Sequence, residues 1–242
     1  MANNITKYRE SFKIRASEVD QNGKVTLSSI CALFQEVAGN HALKLNFDIT
    51  QLSEQNLTWV LHRMDIKMDR YPKWRDKIII ETWPAAGDAL RAYRDYRILD
   101  ESGAEIGCCL SYWMMMNLKT RRPTRMPKEV LEMRLKEFDH VLPVKKDRLK
   151  PFENLDNEST FTVRDSDLDM NNHVNNARYV EWMLETLETE QKNKIKTLDV
   201  MFMKESVAGD TVVSQCKSTV NDSYKHQLKN QNGDTLLIAK SG

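Results

Sequence analysis

Asp169, Asn171 and His173, in one short loop, and Glu205, further along, are the residues of this chain whose types suit proton transfer and the holding of negative charge. The loop Asp169-Met170-Asn171-Asn172-His173 ends at the predicted N-terminus of a helix, where free backbone N–H groups and the positive end of the helix dipole point. Acyl transfer to water needs such a place for its oxyanion, together with a base or nucleophile and a group to orient it. Asn171 can donate from its amide, His173 can move a proton near neutral pH, and Asp169 can orient His173 or the water. Asp and Asn also favour turns and caps for purely local reasons, so the loop taken alone proves little.

The chain repeats itself, and the repeat changes that weighting. Ser17-Glu18-Val19-Asp20-Gln21-Asn22-Gly23-Lys24-Val25 reads against Ser166-Asp167-Leu168-Asp169-Met170-Asn171-Asn172-His173-Val174. Asp65 and Asp76 match Asp199 and Asp210 at one offset of 134, and Asp100-Glu101-Ser102-Gly103 matches Asn230-Gln231-Asn232-Gly233. A weak long-period repeat indicates one fold unit used twice. Lys24 faces His173 and Tyr71 faces Glu205, so only the second copy carries groups suited to acid–base chemistry.

The elements that position these groups follow the same order in both copies. A strand over 8–15 precedes a helix capped by Thr26, with Leu27, Ile30, Phe34, Val37 and His41 on one face. Strands over 57–68, 77–84, 90–99 and 105–117 follow, the last two joined by a hairpin signal. The second copy predicts a strand over 159–165, a helix near 175–189, and strands near 196–204, 210–219, 223–230 and 234–240. The division is 1–133, a charged linker over 134–157 containing Pro143 and Pro151, and 158–242. Each unit is an α+β layer in which an antiparallel sheet buries one face on a helix.

With 242 residues, 40% of them hydrophobic, the chain can bury a core, and a net charge of +1 offers no global attraction to nucleic acid or a membrane surface. No apolar run reaches the ~18 residues of a membrane span, and the start has no apolar export segment. Cys31, Cys108, Cys109 and Cys216 form no C-x-x-C pair and read as reduced thiols of a cytoplasmic protein. His41, His62, His140 and His226 show no metal-ligand spacing, so neither a metal nor a nucleotide cofactor is expected.

Longer strings are more specific than the loop. Leu61-His62-Arg63 leads into Arg70-Tyr71-Pro72-Lys73-Trp74-Arg75-Asp76, followed by Glu81-Thr82-Trp83 and by Trp113-Met114-Met115-Met116-Asn117-Leu118-Lys119-Thr120-Arg121-Arg122. With Ser166 to Asn176 these strings cover nearly the whole chain, which resembles the acyl-acyl carrier protein thioesterases, tandem hot-dog proteins of fatty-acid synthesis. The resemblance implies a double hot-dog fold, hydrolysis of fatty acyl-carrier thioesters, and a catalytic set of Asp169, Asn171, His173 and Glu205. Plant members often carry a cysteine after the glutamate and a transit peptide; this chain has Ser206 and no such leader, which implies a bacterial, cytoplasmic member using carboxylate-assisted attack.

The resemblance also implies an acyl tunnel in the first copy, for which Trp59, Met64, Met68, Trp83, Met114 and Met116 are the candidate lining. Lys119, Arg121, Arg122, Arg125 and Lys128 place five positive charges within ten residues, a patch suited to steering an acidic carrier and its phosphopantetheine arm. The partner implied is therefore an acyl carrier protein bearing a phosphopantetheine-linked fatty acyl chain, with a homodimer as an open assembly. The rival readings are an acyl-CoA thioesterase, a hot-dog lyase acting on hydroxyacyl thioesters, and a non-catalytic acyl-binding protein. Glu181 and Glu185 on the second helix read as solvated.

Overall fold

A computed structural model describes residues 7–85, 87–133 and 139–242. The first half contains β1 (Tyr8–Lys13), α1 (Leu27–Lys44), α2 (Ile49–Glu54), β2 (Leu57–Met68), β3 (Lys77–Ala85), β4 (Arg91–Asp100), β5 (Glu105–Asn117), β6 (Arg122–Thr124) and α3 (Lys128–Glu132). The second contains β7 (Asn157–Thr162), α4 (Asn176–Leu184), α5 (Thr189–Lys194), β8 (Thr197–Phe202), β9 (Thr211–Ser218), β10 (Tyr224–Asn230) and β11 (Thr235–Ser241).

Thr26 caps α1 by accepting from the Ser29 N–H at 3.2 Å, and Ile30, Phe34, Val37 and His41 are buried along its length as their spacing requires. The second helix ends at Leu184, short of the span expected from periodicity. There the Thr186 hydroxyl donates to the Met183 carbonyl at 2.8 Å, and Glu188 opens α5 with a capping box to Gln191. Neither α2 nor the short β6, α3 and α5 was foreshadowed by the hydrophobic pattern.

The strands form one antiparallel sheet in the order β1-β3-β4-β5-β2-β8-β11-β10-β9-β7, with β6 against β5. The order reads the same from both ends under exchange of the two copies, so a pseudo-twofold axis passes between β2 and β8. Helices α1 and α4 pack on one another within a single core shared with the inner face of the sheet. This is the tandem hot-dog arrangement, each half-sheet wrapped around one helix. The two repeat turns are built alike: Asp100 Oδ1 accepts from the Ser102 and Ala104 N–H groups, and Asn230 Oδ1 accepts from those of Asn232 and Asp234.

The repeated aspartates Asp65 and Asp199 are directly opposed across β2 and β8, which puts two carboxylates on the axis itself. Arg63 binds Asp199 through two hydrogen bonds of 2.7 Å, and the Lys145 ammonium bridges Asp65 at 2.8 Å and Asp199 at 3.1 Å. Burial raises the pKa of Asp65, an effect that the Lys145 hydrogen bond opposes. Lys145 belongs to the segment joining the halves, which crosses the outer face of the sheet. His140 and the Val141 N–H meet Asp95, and Leu149 packs against Met201 and Ile238. The first residues of the expected linker, 134–138, lie outside the described residues. Among the described residues no helix is long and apolar enough to cross a membrane.

Candidate active site

The loop before α4 is held by its own carboxylate. Asp169 Oδ1 accepts from the Asn171 N–H at 2.8 Å and the His173 N–H at 3.4 Å, while the Asp169 N–H donates to the His173 carbonyl at 2.8 Å. The turn requires a left-handed residue, met by Asn172 at φ +61° here and by Gly23 at φ +72° in the first copy. Asp20 makes the equivalent bonds to Asn22 and Lys24, both 2.9 Å. Part of what Asp169 does is therefore common scaffold. Asn175 accepts from the Ala177 N–H at 2.9 Å to cap α4, and Asn171 is exposed, its amide without a partner among the described residues.

Chemistry enters where the copies diverge. The Val174 N–H donates to the Ser206 carbonyl at 3.0 Å, as the Val25 N–H does to the Pro72 carbonyl, also at 3.0 Å. This bond ties the chain after β8 to the loop and brings His173 Nε2 to 3.3 Å from Glu205 Oε2. At the matching place in the first half Lys24 lies 4.3 Å from the Tyr71 ring centroid and donates to the Asn193 carbonyl at 2.8 Å. One half thus carries an imidazole–carboxylate pair and the other a cation on an aromatic ring. Glu205 has a second partner: Arg121 Nη2 donates to the same Oε2 at 2.5 Å. Sequence reasoning placed Arg121 in a surface patch, because nothing local reveals a pairing 84 residues away.

A cavity of about 610 Å³ borders the loop that carries His173, with Asp169, Met170, Asn171 and Asn175 in its wall, while His173 and Glu205 themselves lie outside that lining. It runs along the Ala32-Gln35-Glu36-Gly39-Leu43 face of α1, whose small residues leave room, and is closed by Phe47, Trp59, Ala92, Trp113, Val130 and Leu131. Of the expected lining residues only Trp59 faces it. Met64 and Met68 are consumed by the main core, and Trp83 packs with Ala85 behind the wall. Met114 and Met116 fall on the face of β5 opposite Trp113, since successive strand residues alternate; Met115 is buried with Trp59, and the methionines that line the cavity are Met133 and Met170. Arg94 also lines the cavity, although no motif pointed to it.

Lys119, Arg121, Arg122, Arg125 and Lys128 are exposed near β6 and the start of α3. Lys128 pairs with Glu132 and Arg121 with Glu205, leaving Lys119, Arg122 and Arg125 without an ion-pair partner among the described residues. All four cysteines are free and buried, and burial pushes the Cys216 thiol up to about 11, leaving little thiolate for attack. No cluster able to hold a metal ion occurs among the described residues.

A tandem hot-dog with an imidazole–carboxylate pair on a loop that also borders a cavity of about 610 Å³ belongs to a class of thioester-processing proteins, and the comparisons narrow it. Residues 5–133 match the family model of the acyl-ACP thioesterase N-terminal domain, and residues 152–241 that of the C-terminal domain. The chain belongs to the acyl-ACP thioesterase family. It is 32% identical to the chloroplastic oleoyl-acyl carrier protein thioesterase 2 of Arabidopsis thaliana over 94% of this chain and 67% of that protein. It is 29% identical to a chloroplastic acyl-[acyl-carrier-protein] hydrolase of Cuphea viscosissima over 97% of this chain, spanning 61% of that relative's length. Among solved structures, an acyl-ACP thioesterase from Bacteroides thetaiotaomicron superposes with a TM-score of 0.87 at 27% identity, covering 97% of this chain and 96% of that one.

Proposed function

We propose that this chain hydrolyses the thioester of fatty acyl chains carried on acyl carrier protein, releasing the free fatty acid and the carrier thiol. The observation that carries the reading is the 3.3 Å contact of Glu205 with His173, on the loop that borders a cavity of about 610 Å³, at the place where the first half has Lys24 and Tyr71. The first half supplies most of the cavity wall and the second the reacting groups, a division in keeping with an acyl-binding N-terminal unit and a catalytic C-terminal unit.

In this mechanism the acyl chain lies along α1 and presents its carbonyl to the start of α4. The Asn171 amide and uncapped first-turn N–H groups of α4 hold the oxyanion. His173 and Glu205 take the proton from an attacking water, and the free oxygen of Asp169 orients that water or attacks directly. The leaving thiol has a pKa of about 8.5 and departs with little protonation, so the base matters more than the acid. Lys119, Arg122 and Arg125 lie free to meet an acidic carrier, and the four buried thiols suit the reducing cytoplasm.

Thiol release from matched acyl-carrier and acyl-CoA substrates tests the reading. Faster release from the carrier series, with a salt dependence that falls when Arg122 and Arg125 are neutralised, is the expected result. Faster release from the CoA series would move the substrate, and binding without release would remove the enzyme.

A further inference from the structure

The cavity contains a charge that a plain hydrocarbon chain cannot use. Arg94 lines it in a largely apolar wall whose other charged residues are Arg91, paired with Asp88, and the carboxylates Glu36, Asp48 and Asp169, none of which forms an ion pair with Arg94. Its Nη1 donates to His41 Nδ1 at 2.9 Å and stands 3.3 Å from Thr82 Oγ1, which accounts for that nitrogen's two hydrogens. Its Nε–H and Nη2–H groups meet no protein acceptor among the described residues, and no carboxylate there pairs with it. The adjacent Asp95 cannot reach it, because alternation along β4 turns Asp95 to the outer face, where His140 at 2.9 Å and the Val141 N–H at 2.9 Å occupy it. His41 does not supply the missing charge either: burial pushes its pKa down to about 3, and the ring is neutral. Glu36, on the same cavity, is exposed and hydrogen-bonded to Asn40.

A guanidinium remains charged at any working pH, and a partly desolvated one is stabilised most by an anion that takes two of its parallel N–H groups. A methyl terminus laid against those donors would strip their water and return nothing. We infer that the acyl chains preferred by this site carry a hydrogen-bond-accepting oxygen remote from the thioester, a carboxylate foremost, which docks on the unmatched donors of Arg94. The inference rests on the thioesterase reading and names the substrate class of that same site. Arg94 is then a specificity residue: it selects the chain and leaves the reacting carbonyl to Asn171, His173 and Glu205. Sites built to hydrogen-bond a substrate oxygen reject analogues lacking it far more strongly than apolar pockets reject an extra methylene.

The test compares thiol release from carrier protein loaded with octanoyl, decanoyl and dodecanoyl chains and with the ω-carboxy and ω-hydroxy forms of the same lengths. At one length or more, kcat/KM for an ω-oxygenated chain should exceed that of its plain counterpart by at least about 10-fold. Arg94→Leu should abolish or reverse the preference and Arg94→Lys should retain part of it. Plain chains hydrolysed as fast as, or faster than, both oxygenated forms at every length by the unaltered protein would overturn the inference, whatever the variants do. Absence of thiol release from all three series would instead overturn the thioesterase reading.

Discussion

His173 and Glu205 touch, but Glu205 is shared: Arg121 binds the same oxygen more closely, at 2.5 Å against 3.3 Å. The guanidinium competes with the imidazole for that carboxylate oxygen. His173→Ala and Glu205→Ala should each lower kcat by about 10²–10⁴ while leaving the melting temperature near its original value, because both side chains are partly exposed. Near-normal turnover in both would sink the assignment. His173 and Glu205 stood out in the sequence because they diverge from Lys24 and Tyr71 at repeated positions, whereas Asp169 and Asn171 match Asp20 and Asn22 and rest on the family resemblance. Arg121 and Arg94 did not stand out. Their roles come from contacts made across the fold, and each sits in a segment that reads as an ordinary strand or loop.

At the scale of the element, the two Asp-x-Asn loops are one turn used for two purposes. Asn in place of Asp keeps an acceptor for the backbone N–H groups, so Asp169→Asn and Asp20→Asn should both preserve the turn. Only the first should cost activity, by about 10² or more in kcat, since the carboxylate faces the cavity only in the second copy. Equal activity in both variants would reduce Asp169 to scaffold. The β2–β8 seam yields a stability prediction. Arg63→Met leaves the buried Asp199 carboxylate with the Lys145 ammonium alone and should cost about 1.5–3 kcal/mol in denaturant unfolding, and adding Asp199→Leu should recover most of it. Strand limits were legible from period-2 patterning and turn chemistry, and β2 and β5 match their expected spans. Helix α4 was overestimated because the apolar Leu187 continued the helical period past Thr186, whose hydroxyl bonds the backbone.

Over the whole molecule, one sheet and one core bind both halves together, so acid should unfold them in a single transition. His41 in the first half and His226 in the second are both held down to about 3 by burial. The unfolded chain, with histidine near 6.5, binds protons that the folded chain refuses, so stability falls as pH drops from about 6.5 toward 3. Asp65 and Asp95, raised by burial, act in the opposite sense, contributing stability at the acid end that is lost as pH rises through their folded pKa values. Urea midpoints measured across this range should decline on acidification, and His226→Gln should flatten the slope. An unchanged slope in that variant would show that His226 takes up its proton in the folded state.

The sequence by itself determined the duplication, the α+β units, most strand limits and the divergence of His173 and Glu205 from Lys24 and Tyr71, because these depend on local periodicity, turn chemistry and comparison of one copy with the other. Only the tertiary structure decided which side chains share a space. It put Asp65 opposite Asp199 on the pseudo-twofold axis, turned Met114 and Met116 away from the cavity, paired Arg121 with Glu205, and left Arg94 lining a largely apolar cavity without an ion-pair partner among the described residues. Pairing across a sheet, and the charge balance of a cavity, are set by strand order and register, to which residues distant in the chain contribute jointly.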